Sequence, residues 1–127
     1  MNEQQKKAVI ENYIQAYNNF DVDGMTKDLH VNVVFQNITN GEVDLTTNGI
    51  FEFSTQAEKA KTYFSTRKQV IEKWSFQGNK VMLDISYEGI LAVNIPGGAM
   101  IGDTLELTGQ SEFIFEENRI INIRDMS

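Results

Sequence analysis

The hydrophobic positions of this chain change period part-way along it. Val9, Ile10, Tyr13, Ile14 and Tyr17 fall at i, i+1, i+4, i+5 and i+8, one stripe of a 3.6-residue period, while Glu11, Asn12, Gln15 and Asn18 take the opposite face. This spacing predicts a first amphipathic helix. Asn2 with Gln5 three residues later has the pattern of a capping box at its start, and Asn18-Asn19-Phe20-Asp21 ends it. Asp21 or Asp23 is then placed to cap a short second helix carrying Met25 and Leu29. A β-prone stretch follows over His30–Gln36, and residues 37–53 are polar and Gly-containing. They read as a long loop, the kind that serves as a lid or rim. Thr55-Gln56-Ala57-Glu58 has the spacing of a second capping box, opening a third helix with Ala57, Ala60, Tyr63 and Phe64 on one face.

Beyond Ser65 the pattern turns to strands: Val70–Phe76, Lys80–Glu88, Ile90–Ile95, Thr104–Phe115 and Arg119–Arg124. Gln77-Gly78-Asn79, Pro96-Gly97-Gly98 and Glu116-Glu117-Asn118 supply turns between them, with Asn118 suited to a left-handed backbone. Val81, Leu83, Ile85 and Tyr87 alternate against Met82, Asp84, Ser86 and Glu88, so this strand has one dry and one wetter face. Ile114 and Ile120 lie opposite the inward set and are expected to line a sheet-to-sheet homodimer contact. Helices first and strands afterwards is an α+β arrangement, in one domain spanning residues 1–127.

Composition narrows the function classes. At 127 residues, with 41% hydrophobic and 23% charged positions, the chain is one globular domain able to bury roughly two-thirds of its unfolded surface. It has no cysteine, which removes disulfides, thiolate metal sites and cysteine nucleophiles. Its net charge of −7, with the eleven basic residues scattered, opposes nucleic acid and anionic membrane as partners. No apolar run approaches the roughly 18 residues of a membrane span. No apolar leader opens the chain, so a cytoplasmic location is expected.

Three stretches carry a resemblance to a known family. Ala8–Leu29, with Tyr17-Asn18-Asn19-Phe20-Asp21-Val22-Asp23-Gly24-Met25 at its turn, is similar to the opening helix pair of the nuclear transport factor 2-like superfamily. His30–Gln36 resembles the strand that follows it, and Gly102–Asp125 resembles its closing hairpin. The resemblance implies N-terminal helices packed on a strongly curved, mixed or antiparallel sheet. Together they form a cone with an apolar pocket, usually in a homodimer. It also implies a choice among ketosteroid isomerases, SnoaL-type polyketide cyclases, scytalone dehydratases, limonene epoxide hydrolases and members that only bind, which fold does not make.

Residues bear on that choice. Ketosteroid isomerase uses a carboxylate base with an oxyanion hole of tyrosine and neutral carboxylic acid. By resemblance Tyr13 takes the tyrosine's place, but Asn37 stands at the base and Ser111 at the neutral acid. Asparagine takes no proton, so that mechanism is not expected. Polyketide cyclases of the SnoaL type end in an ionisable histidine and aspartate; here Ile123 replaces the first and Asp125 retains the second. Alternation puts Ile121, Ile123 and Asp125 on one face, with Asp125 at the pocket's edge or mouth. A carboxylate desolvated there would serve as acid or base with Tyr13 or Tyr17 as partner. The single histidine, His30, excludes a paired-histidine dehydratase and leaves no second ligand for a metal. Asp84, Arg67 and Asp125 are loose analogues of the aspartate–arginine–aspartate set of the epoxide hydrolase, without matching spacing.

Tyr13, Tyr17, Phe35, Phe64, Trp74, Tyr87, Phe113 and Phe115 all fall on inward faces. With Asn37 and Ser111, all of these except Phe115 predict a wall for a flat, mostly apolar or amphipathic ligand with a few oxygens, and nothing calls for a cofactor. A small-ligand-binding cone is the leading reading. The alternatives are a cyclase-, dehydratase- or isomerase-type enzyme on Asp125, and a homodimeric protein-interaction module.

Overall fold

A computed structural model describes residues 1–127. Helix α1 (Glu3–Asn18) begins at the expected capping box. Asn2 Oδ1 accepts from Gln5 N at 2.8 Å and Gln5 Oε1 accepts from Asn2 N at 2.9 Å. Its stripe is buried at Ile10, Tyr13 and Ile14. Phe20, at a φ of 58°, turns the chain into α2 (Val22–Thr26), whose cap is Asp21 accepting from Gly24 N at 2.9 Å. A Cβ on Gly24 would stand 2.5 Å from the Asp21 carboxylate and 2.9 Å from Ala16 Cβ, so only glycine lets this turn tuck under α1. Leu29, expected in the second helix, instead opens a strand and is buried there.

Strands β1 (Leu29–Thr39) and β2 (Glu42–Asn48) form a hairpin where a long loop was expected. Asn40 and Gly41 connect them with φ of 52° and 82°. Asn-Gly is the pair most suited to two successive left-handed positions, and its twist matches that of the flanking strands. Helix α3 (Gly49–Ala60) follows at once, so the Thr55–Glu58 capping box is not used. Glu52 Oε1 accepts from Asn48 N instead, and Thr55 Oγ1 donates back to Phe51 O inside the helix. A 3-10 turn (Lys61–Tyr63) leads into β3 (Phe64–Gln77), six residues longer at its start than the pattern suggested. Strand β4 (Lys80–Leu91) runs unbroken through Gly89. Residues 92–95, expected to continue as a strand, leave the sheet; Ala92 N bonds Tyr63 O and Ile95 N bonds Ala99 O around Pro96-Gly97-Gly98. Strands β5 (Thr104–Glu116) and β6 (Arg119–Met126) close the fold through Glu117-Asn118, both left-handed.

The six strands form one sheet in the order β2-β1-β6-β5-β4-β3, antiparallel except where β1 lies parallel to β6. Bulges in the β1–β2, β3–β4 and β5–β6 ladders bend it, and the helices cover its concave face. One bulge changes a sequence expectation. Phe115 pairs with Ile120 and Ile114 with Asn122, leaving Ile121 as the extra residue. Alternation resets there, so Ile120 and Ile123 both point inward and are fully buried. Ile120 is therefore core and not part of an outer contact, while Ile114 stays half-buried. No helix is long and apolar enough to cross a membrane.

Candidate functional site

A cavity of about 410 Å³ lies between the helices and the concave sheet. Strand register gives it a polar floor. Leu83, Ser111, Asp125, Asn37 and Leu45 are successive partners across five adjacent strands, β4-β5-β6-β1-β2. Asp125 stands at the centre of this row. Ser111 Oγ donates to Asp125 Oδ1 at 2.7 Å, and Asn37 on the other side donates to Asp44 Oδ1 at 2.9 Å.

Asp125 is the only acidic side chain in the cavity wall. Burial pushes its carboxyl from the ordinary 3.8 up to about 6, against the opposing pull of the Ser111 hydrogen bond. The hydroxyl of Tyr13 is held well above its usual range, first by burial and then by the charge of Asp125. It is a neutral donor at any working pH. Tyr17 and Tyr87 are raised too, chiefly by burial, and their hydroxyls face each other at 3.4 Å, a long and weak contact.

Arg67 completes the polar set. It is only 5% exposed, yet it lines the cavity. Its guanidinium stacks on the Tyr17 ring at 3.7 Å, and Nε donates to Tyr17 O at 2.9 Å. Sequence reasoning placed Arg67 outside any strand because β3 was taken to start at Val70. Starting at Phe64, the alternation would have put Arg67, Gln69 and Ile71 inward.

No protein-family profile and no curated protein matches the chain. Solved structures do. A polyketide-cyclase assignment from Xanthomonas campestris pv. campestris is 17% identical and superposes with a TM-score of 0.81 over 100% of this chain and 93% of that one. A protein of unknown function from Burkholderia pseudomallei, described as nuclear transport factor 2-like, is 13% identical, with a TM-score of 0.78 over 95% and 88%. An LEH-like epoxide hydrolase from M. tuberculosis is 16% identical, with a TM-score of 0.76 over 97% and 82%. The fold is that of the nuclear transport factor 2-like superfamily.

Within this nuclear transport factor 2-like cone, Tyr13, Tyr17, Phe35, Asn37, Phe64, Tyr87 and Ser111 line the cavity, and so does Asp125. Two expected wall residues do not. Trp74 faces inward but lies farther along β3, opposite Leu83, with Lys7 of α1 over its ring at 5.2 Å and Phe76 stacked beside it at 5.7 Å. Phe113 is fully buried behind Tyr13, edge-on at 5.6 Å. Asp125, expected at the edge or mouth, is in the middle of the floor. His30 is away from the site, its Nε2 3.5 Å from Glu117 and its Nδ1 accepting from Asn32 N. Asp84 pairs with Gln110 on an exposed surface and is no part of an aspartate–arginine–aspartate set.

Proposed function

We propose that this chain binds a small, largely apolar molecule carrying a few oxygens, held between α1, α3 and the sheet. One observation carries the reading: a cavity of about 410 Å³ whose wall is mostly apolar but gathers Ser111, Asp125, Arg67 and three tyrosine hydroxyls. Such a mixture of apolar area and a few convergent polar groups is what small-molecule sites present. In this reading Tyr13, Tyr17, Phe35, Phe64 and Tyr87 supply contact area, while Asn37 and Ser111 offer polar contacts. Ala57 lies at the cavity wall and is nearly buried, so Ala57→Phe fills the space from inside. The variant should remain folded and lose binding of an apolar fluorescent probe that the unaltered protein takes up at one site. Equal uptake by both proteins would place the probe elsewhere and defeat the reading.

A second reading is favoured by the raised carboxyl of Asp125. A group poised near 6 exchanges protons readily at neutral pH, and a bound carbon acid above it would lose a proton to Asp125 while Tyr13 stabilises the resulting oxyanion. Solvent deuterium exchange into 2-tetralone tests this. Catalysed exchange should vanish in Asp125→Asn; persistence in that variant, or none in the unaltered protein, counts against an acid–base role. Ligand binding alone would remain.

We also place the protein in the cytoplasm as a homodimer joined through the outer sheet face, where Ile114 keeps an apolar side chain half-buried. Sedimentation of the unaltered chain and of Ile114→Lys decides the dimer: a dimer that becomes monomeric supports it, and a monomer throughout contradicts it.

A further inference from the structure

Arg67 is a buried cation with nothing to neutralise it. No carboxylate of the chain pairs with it, as the ion pairs formed elsewhere involve His30, Lys61, Lys80 and Arg124. Its Nη2 is shut off from solvent without a hydrogen-bond partner, and Nη1 makes no hydrogen bond within the chain. Gln69 lies two residues along the same strand and also lines the cavity, but its Oε1 is itself unpartnered and does not satisfy the guanidinium. A buried charge left this way is strongly destabilising unless something compensates it.

Part of the compensation is structural. Tyr17 is the penultimate residue of α1, so the Nε hydrogen bond to its carbonyl sets a positive charge at the helix's negative end. The rings of Tyr17 and Phe20, 3.7 and 4.7 Å away, add cation–π attraction. Neither contact uses the two terminal nitrogens. With Nε committed and Nη2 enclosed, Nη1 is the guanidinium nitrogen left to donate to a charged oxygen. Arg67 is also the only cationic side chain in the cavity wall, as Asp125 is the only acidic one.

We propose that the ligand of this cavity is an anion with an apolar body, its carboxylate or equivalent oxyanion held by Nη1 of Arg67. This rests on the cavity being a ligand site, and it names the class of ligand that the site takes. The charges of Arg67 and Asp125 act on the Tyr13 hydroxyl in opposite directions, so Tyr13 is within electrostatic reach of both. A ligand tied down at Arg67 would lay its apolar body along the tyrosines and present another part to Asp125. The two charged groups then have separate tasks, one anchoring and one facing the rest of the molecule.

The test uses the full chain and two probes of the same shape, 2-naphthoate and 2-naphthamide, with affinities measured by calorimetry. The unaltered protein should prefer the carboxylate roughly ten- to a hundredfold, the range for a hydrogen bond to a charged group. Arg67→Met should abolish the preference while still binding the amide, and Arg67→Lys, which keeps the charge but moves the donor, should retain part of it. Because the preference is read first in the unaltered protein, it does not depend on either variant folding. Equal affinity for the two probes, or tighter binding of the amide, overturns the anchor while leaving the cavity a ligand site. A preference that survives Arg67→Met also overturns it. Failure of both probes to bind the unaltered protein defeats the cavity reading and the anchor together.

Discussion

At one end of the concave face, Val81, Leu83, Phe113, Ile120 and Ile123 are sealed against Ile10 and Val33, with none of their surface exposed. A few residues along, β5 and β6 turn Ser111 and Asp125 toward a cavity, which Arg67 of β3 also lines. Elements are shared between the two ends: β5 carries both Phe113 and Ser111, and β6 both Ile123 and Asp125. The dry end is packed chiefly with hydrocarbon. The cavity end leaves Thr47 Oγ1, Arg67 Nη2 and Gln69 Oε1 buried without partners and raises the pKa of a carboxyl. Orphaned polar groups are rare in a native interior; of the five here, three are on cavity-lining residues and the other two, Asn122 Oδ1 and Arg124 Nε, lie on β6 outside the cavity.

The difference can be broken most forcefully at the dry end. Phe113→Ala removes a fully buried ring and should cost about 3–5 kcal/mol in urea denaturation. A loss under about 1 kcal/mol would mean that this end is not the stabilising core.

Asp125→Asn probes the other end with the opposite sign. The carboxyl has its ordinary value, near 3.8, in the unfolded chain and about 6 in the folded one. The folded state thus holds the extra proton between those values. Stability from this group is complete below about pH 3.8 and is lost as pH rises through about 6. The asparagine variant, which cannot ionise, should be more stable than the unaltered protein by on the order of 2 kcal/mol at pH 8. That advantage should fade as pH falls through about 6 and be nearly gone by about pH 4. Destabilisation of equal size at pH 8 would place Asp125 among the groups that hold the fold.

The smallest effect lies outside both ends. Asn2→Ala removes the α1 cap and should cost about 1 kcal/mol at any pH. A pH-dependent loss there would show that α1's start is coupled to the site.

How far the sequence revealed these regions depended on whether the relevant signal was local. The capping box at Asn2 and the cap at Asp21 are contacts over three residues, and both were legible. Asn40-Gly41 was an equally local signal, overlooked because the surrounding residues 37–53 are polar. The remaining errors come from register, which no single strand displays. The bulge at Ile121 moved Ile120 into the core, and an early start to β3 carried Arg67 inward. Trp74 was rightly put on the inner face, but which helix turn covers it is a tertiary fact. The floor row shows the same limit. Asn37 and Ser111 looked like lost carboxylates when read singly; side by side, they flank the one that remains, Asp125.

The state of that carboxyl is the most direct test of this account. A carbon-13 NMR titration of the Asp125 side-chain carboxyl, assigned by comparison with Asp125→Asn, should give a midpoint of about 6. A midpoint near 4, the ordinary value for an aspartate in water, would mean that Asp125 is solvated and that the cavity floor does not desolvate it.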